Sequence, residues 1–150
     1  MLVFCVVGDG PAAQVPLERG PQNHLLVNVS INGHPATLLL DTGEDNFYLQ
    51  TERAKAFNVP GIAPKLRSGE RWFEAGEIAE LRIGALTFPP QEVALYDPAQ
   101  FHGPVPGTAR KAADGLTGRH FIRRHRAVHP PPTPHPSLAR TSPPTRGLPT

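Results

Sequence analysis

The sequence predicts a mainly β domain, and three observations predict it. Proline and glycine are abundant, at 19 and 14 of 150 residues, and both interrupt long helices. Residues 25–31 alternate: Leu25, Val27, Val29 and Ile31 share one face, and Leu26, Asn28 and Ser30 the other. That period of two belongs to a strand. Asn32-Gly33 follows, a pair suited to the two-residue type I′ hairpin turn, whose central residues need positive φ. A hydrophobic fraction of 39% and this length allow one modest domain with its own core.

The elements follow in order. Leu2-Val3-Phe4-Cys5-Val6-Val7 is apolar with no basic residue before it, and reads as a first strand or as the remnant of a signal segment. Residues 8–23 are Gly/Pro-rich and polar, so residues 1–23 are set apart as a lead-in. A strand from His24, the Asn32-Gly33 turn and a return strand over Ala36–Leu40 run into Asp41. Asn46-Phe47-Tyr48-Leu49 is apolar again. Thr51–Phe57 predicts a short helix with Thr51 as its N-cap and Pro60-Gly61 as its stop. Arg67-Ser68-Gly69-Glu70 reads as a tip between two strands, with Trp72 and Phe73 after it packing in the core or in that hairpin. Ala79–Ile83, Leu86–Phe88 and Glu92–Tyr96 are strands, and residues 97–113 a loop. Asp114–Gly118 reads as a turn, followed by a basic helix over Arg119–Arg126.

After Val128 the composition changes. Residues 129–150 hold eight prolines and no acid, Phe, Tyr, Trp, Ile or Val. Such a segment cannot bury enough apolar surface to offset its ordering entropy, so a disordered tail is expected. The abrupt shift resembles out-of-frame translation of a GC-rich gene. The domain is thereby confined to residues 24–128.

Charge excludes several function classes. The net charge is +2, but all 13 acids lie at or before Asp114, while residues 115–150 carry six arginines and no acid. The basicity is confined to the C-terminal part, without the basic-aromatic interleaving of a nucleic-acid reader, and no nucleic acid is expected as partner. No apolar stretch reaches the ~18 residues of a membrane span, so no stable membrane insertion is expected. The single Cys5 excludes an intrachain disulfide and leaves the compartment open, cytoplasmic or extracytoplasmic (periplasmic). His24, His34, His102 and His120 form no i,i+4 pair and have no Cys beside them, so no metal and no cofactor are expected. Ser30 and Ser68 lack a Gly-x-Ser-x-Gly setting, which argues against a serine hydrolase.

Asp41-Thr42-Gly43 is the candidate catalytic segment. It ends the apolar run Thr37-Leu38-Leu39-Leu40, where an unpaired carboxylate is costly. Thr42 offers a hydroxyl to nearby backbone, and Gly43 lets the chain pass close to the acid. Two carboxylates about 3 Å apart share one proton: the ionised one acts as base on a water and the protonated one polarises a carbonyl. A chain with one such loop can acquire the second carboxylate by two-fold symmetry, which predicts a homodimer.

Three stretches resemble the retropepsin-like aspartic proteases, particularly their small bacterial members: His24–Gly43, with its hairpin and acid loop; Leu81-Arg82-Ile83-Gly84-Ala85-Leu86-Thr87-Phe88; and Ala113–Ile122, with Asp114-Gly115-Leu116-Thr117-Gly118-Arg119. The resemblance spans residues about 24–126. It implies a closed acid-protease barrel with a flap hairpin and one or two short helices, and hydrolysis of a polypeptide substrate without a metal. It assigns Asp41, Thr42 and Gly43 to catalysis, with Thr42 locking the paired loops across the dyad. It assigns Asp45, Gly69 (flap tip) and Trp72 to substrate binding, and Gly118 and Arg119 to structural support, Gly118 behind the acid loop and Arg119 paired with Asp45. Glu44, Thr117 and the proline tail depart from the family pattern, which has Ala or Ser, an apolar residue and a final strand there. The alternative is a catalytically inactive protease-like binding or dimerisation module, or a truncated relic.

Overall fold

The computed structural model describes residues 2–6, 13–20, 23–99 and 113–124. Eleven strands and two short helices lie among them. The strands are β1 (Leu2–Val6), β2 (Ala13–Arg19), β3 (Leu25–Ile31), β4 (His34–Leu40), β5 (Tyr48–Gln50), β6 (Gly61–Ser68), β7 (Arg71–Ile78), β8 (Leu81–Ile83), β9 (Leu86–Phe88), β10 (Gln91–Tyr96) and β11 (Gly115–Thr117). The helices are α1 (Thr51–Ala56) and α2 (Arg119–Arg124).

The strand order is β1-β2-β3-β4-β11-β5-β10-β7-β6, with β8 on β3 and β9 on β8. Most pairs are antiparallel; β11 with β4 and β10 with β5 are parallel. The expected mainly β architecture is therefore present. Its ladder runs as an open path from β1 to β6 among the described residues rather than closing through hydrogen bonds.

The β3–β4 hairpin turns at Asn32 (φ 49°) and Gly33 (φ 82°), both in the left-handed region. Its tip is tied down: Asn32 Nδ2 donates to Phe57 O at 3.0 Å, and Asn32 Oδ1 accepts from Glu80 N at 3.0 Å. The run Leu38-Leu39-Leu40 lacks alternation because the central strands are covered on both faces. Leu38, Leu49 and Val93 enter one cluster with Val27, Ile31, Ile78, Leu81 and Phe121. Their neighbours Leu39, Tyr48 and Ala94 enter a second cluster with Tyr96 and Leu116, roofed by Leu66 and Phe73 of the β6–β7 hairpin. Each fully buried Leu, Ile, Val or Phe side chain among them contributes about 1.5–3 kcal/mol relative to leaving it in water.

Four expectations change. Residues 13–19, assigned to a lead-in, form β2, which pairs with β3 through Leu17↔Val27. Val15 and Leu17 are buried there, a short period-two signal hidden among Pro and polar residues. Thr51 does not cap α1. Gln50 holds the N-cap position with extended backbone and no side-chain cap bond, and its side-chain amide donates to Ala113 O at 2.6 Å. The helix ends at Ala56, capped by Phe57; Asn58, with a φ of 54°, turns the chain away before Pro60, and Val59 N donates to Ala54 O at 2.9 Å. Finally, Gly115–Thr117 is not a turn but the buried central strand β11. Gly115 is admitted because a Cβ there would lie 2.3 Å from Tyr48 O. The tail at 129–150, the end of the basic helix beyond 124 and the loop at 100–112 lie outside the described residues.

Candidate active site

Asp41 follows β4 directly, and its position is fixed by β11. Asp41 N donates to Thr117 O at 3.1 Å. The loop then turns tightly: Gly43 N donates to Asp41 Oδ1 at 2.9 Å, and Glu44 N to Asp41 O at 3.4 Å. Asp41 is half-buried while Thr42 and Gly43 are exposed. Asp41 Oδ2 has no protein partner among the described residues.

Gly118 and α2 support the far side of the loop. A Cβ at Gly118 would lie 2.4 Å from Asn46 O, 2.7 Å from Glu44 O and 2.9 Å from Asp45 C. The first free N–H groups of α2, which lack helical partners, are used on the loop: Arg119 N donates to Glu44 O at 2.7 Å and His120 N to Asp45 O at 3.1 Å. The Arg119 guanidinium donates to Asp45 Oδ1 through Nε at 2.9 Å and also through Nη2. This hydrogen bond, and then the guanidinium charge, hold the Asp45 carboxyl below its usual range.

The β6–β7 hairpin covers the loop, turning at Gly69 (φ 58°). Tyr48 links the two. Its hydroxyl lies 2.6 Å from Ser68 Oγ and 3.2 Å from Glu44 Oε2. With one proton to give, it donates to the carboxylate and accepts from the serine when Glu44 is ionised. Partial burial raises the Glu44 pKa, the Tyr48 hydrogen bond offsets this in part, and the charges of Asp41 and Asp45 raise it further. Burial likewise raises the Tyr48 pKa.

Behind the site, Asp114 clamps β4 to α1. Its Oδ2 accepts from Thr37 N at 2.8 Å and its Oδ1 from Arg53 Nε at 2.5 Å. Thr117 is 1% exposed, and its Oγ1 finds no hydrogen-bond partner among the described residues.

The fold brings Asp45, Gly69 and Arg119 to one cleft. Trp72 is not among them. It is 63% exposed rather than packed in the core, and lines a separate groove with Glu52, Glu74 and Asp97. Sequence reasoning missed Asp114, Tyr48 and Ser68. Asp114 carried a legible signal, an acid preceding the glycine motif; the Tyr48–Ser68 contact spans two elements and left none. No group of three or more His, Cys, Asp or Glu able to hold a metal lies among the described residues. No helix among them is long and apolar enough to cross a membrane.

An acid loop under a flap hairpin, backed by a glycine and a short helix, defines a retropepsin-like aspartic protease fold. The chain belongs to the aspartyl protease family, whose pattern, described as "Aspartyl protease", matches residues 27–121. The crystal structure of a retropepsin-like aspartic protease from Rickettsia conorii is similar, with a TM-score of 0.52 and 15% identity over 72% of this chain and 76% of that one. The retroviral protease-like domain of Ddi1 from Leishmania major gives 0.47 at 18% identity, over 69% of this chain and 78% of that one. The EIAV protease complexed with the inhibitor HBY-793 gives 0.48 at 16% identity, over 74% and 96%. The structural likeness rests on the first of these and concerns the fold. No curated protein matches the chain.

Proposed function

We propose that this protein is an aspartic endopeptidase that works as a homodimer, with the Asp41 carboxylates of two copies sharing one proton across the dyad. The ionised Asp41 takes a proton from a water as its oxygen attacks the peptide carbonyl carbon. The protonated Asp41 donates to the carbonyl oxygen, the C–N bond breaks, and the amine leaves with a proton. Thr42 locks the two loops, Gly43 lies against the substrate, and Gly118 and Arg119 hold the loop from behind. The observation that carries the reading is the half-buried Asp41, anchored by Gly43 N–H, beside exposed Thr42 and Gly43. Family membership supports the peptide-hydrolase class. Glu44, beside Asp41, favours the second reading, an inactive binding or dimerisation module.

A cleavage assay from pH 3 to 7, with and without pepstatin, tests this with Asp41→Asn as control, alongside light scattering. Pepstatin-sensitive cleavage that disappears in Asp41→Asn is expected from a dimer. Cleavage surviving Asp41→Asn refutes it. A wild type that is inert yet dimeric favours the module.

A further inference from the structure

Between the flap tip and α2 lies a cleft of about 640 Å³ that carries Arg67, Arg119, His120, Arg123 and Arg124 against a single lining carboxylate, Asp45. Arg119 already occupies that carboxylate. Arg67 Nε donates to Gly69 O at 2.9 Å, within its own turn. The side chains of His120, Arg123 and Arg124 meet no carboxylate within bonding distance among the described residues. The rest of the chain cannot supply one in quantity: outside the described residues the only acidic side chain is Asp9. A separate groove, lined by β7 and the end of β10, has the opposite balance, with Glu52, Glu74 and Asp97 against Arg71. Charge is thus segregated between the two.

We infer that the cleft is a subsite for acidic side chains of the polypeptide substrate, selecting peptides with Asp or Glu flanking the cleaved bond. This rests on the endopeptidase reading. Guanidinium groups bind carboxylates through paired N–H donors, and a concave wall of one sign concentrates the oppositely charged ligand. The cleft shares Asp45 with the acid loop and Gly69 with the flap tip, so a chain lying under the flap passes it. That continuity favours a peptide over a nucleic acid as occupant.

The test uses the full chain carrying Asp41→Asn, so that binding is read without cleavage. Fluorescein-labelled peptides of equal length with Asp/Glu, neutral or Lys flanks are titrated by anisotropy at 50 and 300 mM salt, beside a single-stranded oligonucleotide. The acidic peptide is expected to bind about tenfold tighter than the neutral one, the product of several exposed charge pairs. The preference shrinks at 300 mM salt, disappears in Arg123→Glu/Arg124→Glu, and falls about threefold in Arg67→Gln on the opposite wall. Equal affinities, a preference unchanged in both folded variants, or tighter binding of the oligonucleotide overturns the subsite. Acidic preference in binding with no cleavage of any peptide by the wild type keeps the subsite and overturns the endopeptidase.

Discussion

Replacing Gly118 by alanine tests how the acid loop is held. The new Cβ would sit 2.4 Å from Asn46 O and 2.7 Å from Glu44 O. Ordinary carbon–oxygen contacts begin at about 3.3 Å, so the loop must retreat by about 0.9 Å. Both nearest atoms are backbone, so no side chain can swing aside. Glu44 O also accepts the Arg119 N–H, and Asp45 O the His120 N–H, so retreat strains two hydrogen bonds worth about 1 kcal/mol each. Overpacking adds about 1–3 kcal/mol. A loss of about 2–4 kcal/mol follows, read as a fall of about 1–2 M in the urea midpoint for an m-value near 2 kcal/mol/M. Far-UV circular dichroism is the suitable probe, because Trp72 is largely in solvent. On the endopeptidase proposal, a loop shift near 1 Å that carries Asp41 with it would also lower kcat about 100-fold. Gly69→Ala is the control: its Cβ meets nothing within 4 Å, and only its φ of 58° opposes the change, at about 1 kcal/mol. A loss below ~0.5 kcal/mol for Gly118→Ala would show that the loop does not lean on this glycine, and the argument for its support would fall.

Two further outcomes follow. Thr117→Val keeps the shape and removes a buried hydroxyl that has no partner among the described residues, so it should stabilise by about 1 kcal/mol, seen as a melting temperature higher by ~4–8 °C; a lower one would mean the hydroxyl is bonded. For Glu44 the folded-state pKa is raised, so the fold favours the protonated form. Its contribution is fully present below the unfolded value near 4.5 and is lost as pH rises through the folded one. Relative to wild type, Glu44→Gln should therefore gain stability between pH 4 and 8; urea midpoints whose difference stays flat across that range would contradict the raised pKa.

The local parts of the fold were legible in the sequence. Asn32-Gly33 announced its turn because both positions need positive φ, and the Gly69 tip lay where small and polar residues interrupt two strands. Asp41-Thr42-Gly43 stood out because an acid at the end of an apolar run demands a reason. What could not be read was non-local. Gly115-Leu116-Thr117 looks like a turn because a glycine at each end and a polar threonine mask a strand only three residues long. Only the neighbouring strands β4 and β5, which press against Gly115 from outside its own segment, make it one. Tyr48 reaches Ser68 across 20 residues, and the basic wall of the cleft arises where a flap and a helix distant in sequence converge.

β11 lies between β4 and β5, yet it is made long after both, since chains are synthesised from the N-terminus. Until residues 115–117 leave the ribosome, the strand that ends in Asp41 has an open side and the loop has no glycine behind it. Contacts this distant in sequence also slow assembly. The consequence is one of timing: the acid loop takes its shape only once residues 115–117 have been made. A chain cut before Gly115 would be no smaller hydrolase, but an exposed strand edge prone to pair with its neighbours.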